Sequence, residues 1–312
     1  NSKMFKDMKN NFLIKYWYKL TNKQAYRDFK NSKSSEESLN LFKSKFENHI
    51  NEIEKKIKSK KELSFLHSGH IGDIINVLPV IKELSKTHTC NLLININKPL
   101  EVSHYGHQAG SVYLNQKIYD MLVPLFQSQK YINKIQVYKN QNIDINFDLI
   151  RSLPINLLFD NLKYGFQIAG VQPDIYQPYL DVKPHNSIVK KIVVLRSLRY
   201  RNQFINYNFL ENYKDILFVG TRDEYENLKK EVKNLEFYNC KDFLEMATII
   251  KSSHFFVGNS SLGIDIAEAL KVPRLLEACP GFPARQVHGK NAYDFYYQVH
   301  FEKFFKILYE KN

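Results

Sequence analysis

The chain has 312 residues, 44% hydrophobic and 25% charged, with a formal net charge of +13. That is globular composition, long enough for two ordinary domains, each with its own core. Such a charge suits nucleic acid, an anionic membrane surface or a phosphorylated substrate, or is a generally basic surface. The absence of zinc-finger spacing, of a helix-turn-helix pattern and of an RNA-binding aromatic signature argues against a nucleic-acid partner. Cys90, Cys240 and Cys279 are far apart and odd in number. They suggest a reducing compartment rather than a disulfide framework or a structural zinc. No apolar run approaches the roughly 18–20 residues of a membrane span. The first residues, Asn1-Ser2-Lys3, carry no signal-peptide pattern and no initiator methionine, as in a chain cut from something longer.

Residues 1–61 contain neither Gly nor Pro and are rich in Lys, Asn, Glu and Ser. They are expected to be a basic helical extension. Ser34-Ser35-Glu36-Glu37 resembles a helix start, and Leu39, Phe42, Phe46, Ile50, Ile53 and Ile57 then recur at steps of three or four. Such a helix either packs on the body of the protein or meets a membrane surface or a partner domain. The stretch Lys15-Tyr16-Trp17-Tyr18-Lys19 would suit an interface.

From Glu62 strands and helices alternate, which implies parallel sheets covered on both faces. Strands are expected at 63–66, 90–96, 132–138 and, within Phe147-Asp148-Leu149-Ile150, at 147–150; helices are expected near 74–85, 116–128 and 154–169. Pro173, Pro178 and Pro184 mark a boundary. The alternation restarts with strands at 192–195, 215–220, 235–238, 254–258 and 274–277, and helices at 223–233, 243–251, 261–271 and 301–310. The expected organisation is a helical extension over 1–61, Rossmann-like domains over 62–180 and 181–295, and a terminal helix within 296–312.

Three stretches carry chemistry. In Val257-Gly258-Asn259-Ser260-Ser261-Leu262-Gly263 an apolar strand runs straight into an amphipathic helix. The free N–H groups of that first turn would suit a phosphate, with Gly258 and Gly263 allowing close approach and Ser260 and Ser261 adding hydroxyls. The bland alternative is a turn in which Asn or Ser caps the helix. In Arg196-Ser197-Leu198-Arg199-Tyr200-Arg201-Asn202, three arginines follow a strand, where a diphosphate would be held by planar forks; otherwise the loop is a solvated basic one. In Gly69-His70-Ile71-Gly72-Asp73, Asp73 opens a helix and either takes a proton from an attacking hydroxyl or serves as a first-turn acid. His70 either contacts substrate there or fills the loop.

Absent patterns narrow the field. There is no GxxxxGK[ST], no GxGxxG followed by an acid, no HExxH and no Asp-x-Asp pair. P-loop NTPases and dinucleotide oxidoreductases are disfavoured, and neither a bound metal nor a cofactor is indicated.

Gly72-Asp73-x5-Pro79 resembles the N-terminal motif of glycosyltransferase family 9, the heptosyltransferases of lipopolysaccharide synthesis. Gly258-Asn259-Ser260-Ser261-x3-Asp265-Ile266-Ala267-Glu268-Ala269-Leu270 resembles the donor-phosphate loop and helix of that group. Arg196-Ser197-x-Arg199-Tyr200-x-Asn202, with Val219-Gly220-Thr221-x2-Glu224, is similar to a divergent subgroup. The resemblance covers about residues 62–290 in pieces. It implies an α/β fold of GT-B type, two Rossmann-like doubly wound domains across a cleft. It also implies inverting, metal-independent transfer of a sugar from a nucleotide-diphosphate donor to a bacterial surface glycan or lipid-linked glycan, inside the cell or at the inner membrane face. Asp73 falls at the position of the family's general base. Arg196, Ser197, Arg199, Tyr200, Asn202, Gly258, Asn259, Ser260, Ser261 and Gly263 fall at the donor diphosphate. Gly220, Thr221 and Glu224 fall near the nucleoside, and His70 and Gly72 on the acceptor side. Where the family carries Asp-Thr-Gly this chain has Asn259-Ser260-Ser261, so the donor base and sugar stay open. An epimerase or hydrolase of the same fold, or a non-catalytic module binding nucleotide sugar or glycan within a larger synthase, is the alternative.

Overall fold

The computed structural model describes residues 2–101, 107–152, 160–189 and 191–311. Two compact units divide the chain near residue 52. In the first, the helices are α1 (Ser2–Asn10), α2 (Phe12–Thr21), α3 (Lys23–Lys45) and the opening turns of α4 (Glu47–Ser59). With no Gly or Pro to interrupt it, helix begins far earlier than the expected start at Ser34. Asn11 and Asn22 supply the caps instead, accepting the N–H groups of Leu13 (2.9 Å) and Ala25 (3.0 Å). Ser35 lies inside α3, where its hydroxyl donates to the Asn31 carbonyl rather than capping. Phe5 meets Phe29 edge-on, joining α1 to α3, and Lys9 pairs with Glu36 at 2.9 Å.

The second unit contains two parallel sheets. The first holds β1 (Glu62–His67), β2 (Thr89–Ile94), β3 (Lys134–Val137) and β4 (Ile145–Asn146) in the order β3-β2-β1-β4. The second holds β5 (Ile192–Leu195), β6 (Ile216–Phe218), β7 (Glu236–Phe237), β8 (Phe255–Asn259), β9 (Arg274–Glu277) and β10 (Ala292–Phe295) in the order β10-β9-β8-β5-β6-β7. Residues such as Phe65, Val193, Phe256 and Val257 are wholly buried. Strands covered on both faces tend to be apolar along their length, as Ile192-Val193-Val194-Leu195 of β5 is. The helices are α5 (Ile71–Leu84), α6 (Gln116–Gln127), α7 (Asn161–Ala169), α8 (Arg222–Lys229), α9 (Phe243–Lys251), α10 (Leu262–Leu270) and α11 (Gln298–Tyr309). α11 closes the second sheet: Phe301 stacks on Phe295 at 4.2 Å, and Phe305 meets Phe255 at 4.9 Å.

Two expectations need correction. The strand expected at 147–150 is displaced to Ile145–Asn146, and Phe147–Ser152 is a 3-10 helix. The Asn146 side chain accepts the Asp148 N–H at 2.9 Å and so starts a turn. β10 was not anticipated. Of the helix expected at 154–169, α7 holds 161–169, and 153–159 lie outside the described residues. The cysteines are free, and burial pushes the Cys90 thiol up to about 12.

Candidate functional site

Each sheet reverses its strand order beside its first strand, between β1 and β4 and between β5 and β8. Crevices at the carboxyl ends of such strands are where open α/β sheets bind ligands. The second crevice is bounded by the loop after β5 and the turn after β8, and Asn259 ties the two together. Its Oδ1 accepts the Ser197 N–H (2.8 Å), and its amide donates to the carbonyls of Ser197 (3.2 Å) and Arg199 (2.6 Å). Tyr200 follows in the left-handed region at φ 52°, a strained place for an aromatic residue. Its ring stacks on Phe282 at 4.9 Å.

The three arginines of this loop have different employments. Arg196 is buried. It donates to both carboxylate oxygens of buried Glu277 (2.8 and 3.1 Å) and to the Ile205 carbonyl (2.9 Å), and lies over the Tyr207 ring. It is therefore a structural tie between β5 and β9, not a diphosphate clamp. Asn202 is structural in the same way. Its N–H donates to Glu277 (2.7 Å), and its amide to the carbonyls of Ala278 (3.3 Å) and Tyr296 (2.8 Å). Arg201 is held by the Ser197 carbonyl (2.7 Å) and Asn227 (2.6 Å). Among the described residues only Arg199 of the three has neither hydrogen bond nor ion pair for its guanidinium, and it lies 5.8 Å from the Tyr200 ring centre.

The glycines also serve packing. A Cβ on Gly258 would stand 2.5 Å from the Leu195 carbonyl oxygen, and one on Gly263 2.6 Å from the Phe256 ring. They permit strand and helix to close on β5, a role in packing rather than the ligand approach expected of them. At the start of α10 the Ser261 hydroxyl donates to the Asn259 carbonyl (3.0 Å) and makes no cap, so among the described residues the first-turn N–H groups carry no side-chain acceptor. Ser260 stands half-buried beside it. Thr221 and Glu224 form a capping box on α8, the Glu224 carboxylate accepting the Thr221 N–H at 3.0 Å, with Gly220 before them in the turn after β6. The Glu224 carboxylate is thus engaged by its own helix.

In the first crevice Asp73 sits in the first turn of α5, its Oδ2 accepting the His70 N–H at 3.2 Å. The His70 ring lies edge-on to His107 (4.8 Å) and Tyr113 (5.0 Å). Beneath it, Asp148 accepts the Ser68 N–H (2.8 Å) and hydroxyl (2.5 Å) and pairs with Arg151 (3.2 Å) and Lys98 (3.4 Å). Burial alone would raise the Asp148 carboxyl. The Ser68 hydroxyl and the charges of His67 and Lys98 outweigh burial and hold it below its usual range. Arg151 covers the Tyr113 ring at 4.4 Å. A Cβ on Gly69 would be 2.9 Å from both Arg151 Nη2 and Asp73 Oδ2, so that cation stands close to Asp73. His67 is fully buried and pushed down to about 4 by burial, against the pull of Asp73 and Asp148. Its Nδ1 accepts the Gly69 N–H at 2.8 Å, which leaves the proton of the neutral ring on Nε2.

The two crevices meet where α5 packs on α10. A Cβ on Gly72 would overlap the buried carboxylate of Asp265, which pairs with Arg285 at 2.6 Å; Arg285 in turn donates to Asn76 at 2.8 Å. Burial first, then the charges of Asp73 and Glu268, raise Asp265 to about 7 against the pull of Arg285. Burial also raises the Tyr200 phenol, with Arg199 opposing and Asp73 adding to the rise. Asp73 follows Gly72 in the first turn of α5, and it is this turn that packs against Asp265 at the start of α10. Gly72, at the start of α5, thus stands against Asp265 of α10, while Arg199, Tyr200, Ser260 and Ser261 border the second crevice. Gly220, Thr221 and Glu224 lie one strand further out.

Sequence reasoning missed Lys98, Asp148, Arg151, Asp265 as a seam residue, and Arg285. A usable signal was the charge at both ends of the strand Arg274-Leu275-Leu276-Glu277: a charged residue in so short a strand between covered faces requires a buried partner, as Arg196 is to Glu277.

No family model matches this sequence, and no curated protein matches it. Solved structures match by fold. One is the E. coli heptosyltransferase WaaC with ADP, at a TM-score of 0.54 and 10% identity, over 79% of this chain and 99% of that one. Another is E. coli ADP-heptose lps heptosyltransferase II, at 0.50 and 9%, over 79% and 98%. The architecture is GT-B, with two Rossmann-like parallel sheets, as the sequence motifs implied.

Proposed function

We propose that the chain is a glycosyltransferase that moves a sugar from a nucleotide-diphosphate donor to a hydroxyl of a bacterial surface glycan or its lipid-linked precursor. The observation that supports this most is the position of the Asp73 carboxylate. It opens α5 at one crevice, and its neighbour Gly72 stands against Asp265 in the first turn of α10, which borders the other crevice with the loop that carries unpaired Arg199. One crevice offers a base; the other offers a cation and uncapped helix N–H groups suited to a diphosphate.

In this reading the acceptor oxygen attacks the anomeric carbon from the face opposite the diphosphate. The bond from that carbon to the β-phosphate oxygen breaks as the new glycosidic bond forms, and the acceptor proton passes to Asp73. The configuration inverts. Negative charge growing on the leaving diphosphate is met by Arg199, Ser260 and the α10 amides. No resident metal or cofactor is invoked. The His70 N–H, donating to Oδ2, orients the Asp73 carboxylate.

A second reading, a binding module without turnover, is favoured by the hydrogen bond from the His70 N–H to Asp73, a duty that a first-turn acid performs without any chemistry. One experiment separates the two. The melting temperature is measured with ADP, GDP, UDP, CDP and CMP, each with and without magnesium, and transfer is then assayed with the matching sugar nucleotide for the parent and Asp73→Asn. A nucleoside diphosphate at about 100 times its dissociation constant contributes about 2.7 kcal/mol and raises the melting point by several degrees. Turnover falling on the order of 10²–10⁴-fold in the variant, with binding retained, supports the transferase. Binding without turnover supports the module. Free or isomerised sugar formed without acceptor points to a hydrolase or epimerase, and no binding removes the whole reading.

A further inference from the structure

α2 is a helix with no buried residue. Phe12, Leu13, Tyr16, Trp17 and Leu20 fall at i, i+1, i+4, i+5 and i+8, which places them on one continuous face of a 3.6-residue helix. All five are exposed, Leu13 by 74% and Trp17 by 56%. Ile14 and Tyr18, on the opposite side, are half-buried. A contiguous exposed apolar face of this kind is rare unless something covers it.

Charge identifies the cover. α2 contains no acid, and Lys15 and Lys19 border the apolar face. Residues 1–33 hold nine Lys or Arg against two Asp, more than half of the chain's net +13. A second copy would bring two such segments together against their repulsion, whereas an anionic lipid surface attracts them. Trp and Tyr among apolar residues are suited to the headgroup boundary, where a ring is half in hydrocarbon and half wet. Among the described residues no helix is long and apolar enough to cross a membrane, so α2 would lie in the surface plane. From the unpartnered apolar face and its lysine border, we infer that α2 is a peripheral membrane-docking helix for bilayers containing anionic phospholipid. This inference is independent of the transferase reading.

Trp17 is the single tryptophan of the chain, so its fluorescence reports directly on this face. The full chain is mixed with vesicles of phosphatidylcholine alone or with a third phosphatidylglycerol, at low and at about 1 M salt. Expected on the anionic vesicles are co-flotation, a blue shift of Trp17 emission and quenching by brominated acyl chains. Partition should drop about tenfold or more with high salt or with Leu13→Glu. Circular dichroism checks that Leu13→Glu keeps its helix, and Trp17→Phe should still float. Equal binding to neutral vesicles, or no binding at low salt, overturns the inference. So does a blue-shifted Trp17 in a concentration-dependent dimer without lipid, or a blue shift produced only by another protein.

Discussion

A Cβ placed on Gly72 would overlap the Oδ2 of Asp265. The first turns of α5 and α10 meet at a point where one helix has no side chain and the other a buried carboxylate. Asp265 has little freedom to withdraw, since Arg285 holds its other oxygen. Gly72→Ala is therefore expected to cost about 1–3 kcal/mol, as overpacked sites do. The urea midpoint measures this, and an unchanged midpoint would show that the seam yields.

The loop after β5 separates binding from stability. Arg196→Ala strands the Glu277 carboxylate in the core and should cost about 3–5 kcal/mol. Arg199→Ala removes no partner in the fold and should leave stability within about 0.5 kcal/mol. Its effect should appear instead as weaker binding of the nucleoside diphosphate, about 10–100-fold, the worth of a charge-assisted hydrogen bond. Calorimetry on both variants checks the pair. Arg199→Ala with unaltered affinity would move the diphosphate elsewhere.

Asn259→Asp keeps the shape of the side chain and replaces its donor. The carboxylate would then face the carbonyls of Ser197 and Arg199, acceptor against acceptor. A loss of about 3 kcal/mol is expected at neutral pH from the two broken hydrogen bonds and the buried charge. Protonation of the new carboxyl should return part of it at acid pH. A melting temperature equal to the parent's at pH 7 would contradict this account of the loop.

His67 makes a pH signature. Its folded value near 4 lies below the unfolded 6.5, so between those values the unfolded chain holds the extra proton. Stability from this residue is complete above pH 6.5 and is lost as the pH falls towards 4, by about 3 kcal/mol in all. Asp265, raised to about 7, acts oppositely and costs stability as the pH rises from about 4 to 7. Comparing the parent with His67→Asn, which keeps an acceptor for the Gly69 N–H, cancels the Asp265 contribution. The difference between their unfolding free energies should change steeply from pH 4 to 6.5 and flatten above. A flat difference would place an ordinary imidazole at position 67.

Strand and helix positions in the second sheet were legible because they depend on local pattern. Phe255-Phe256-Val257 and Leu275-Leu276 are apolar stretches flanked by polar residues, and Phe243–Lys251 has clean helical spacing. β10 was not, because Ala292-Tyr293-Asp294-Phe295 is short, carries an acid, and becomes a strand only by pairing with β9. Asp148 was hidden for another reason. Its partner Ser68 lies eighty residues away and meets it only once β4 lies beside β1. The arginine loop was legible as charge but not as employment. Nothing near Arg196 announces that Glu277, eighty-one residues on, takes its fork.

The strand that begins each sheet is an interior one: β1 pairs with β2 and β4, and β5 with β6 and β8. A ribosome delivers the chain from its amino end, so each sheet receives its middle first. β6 and β7 then add outward on one side of β5, and β8, β9 and β10 later on the other. Until β8 arrives, one edge of β5 waits unpaired while about sixty residues are synthesised, on the order of 3–12 seconds at 5–20 residues per second. The order of synthesis therefore leaves the switch point, where ligand would bind, as the last open edge beside β5.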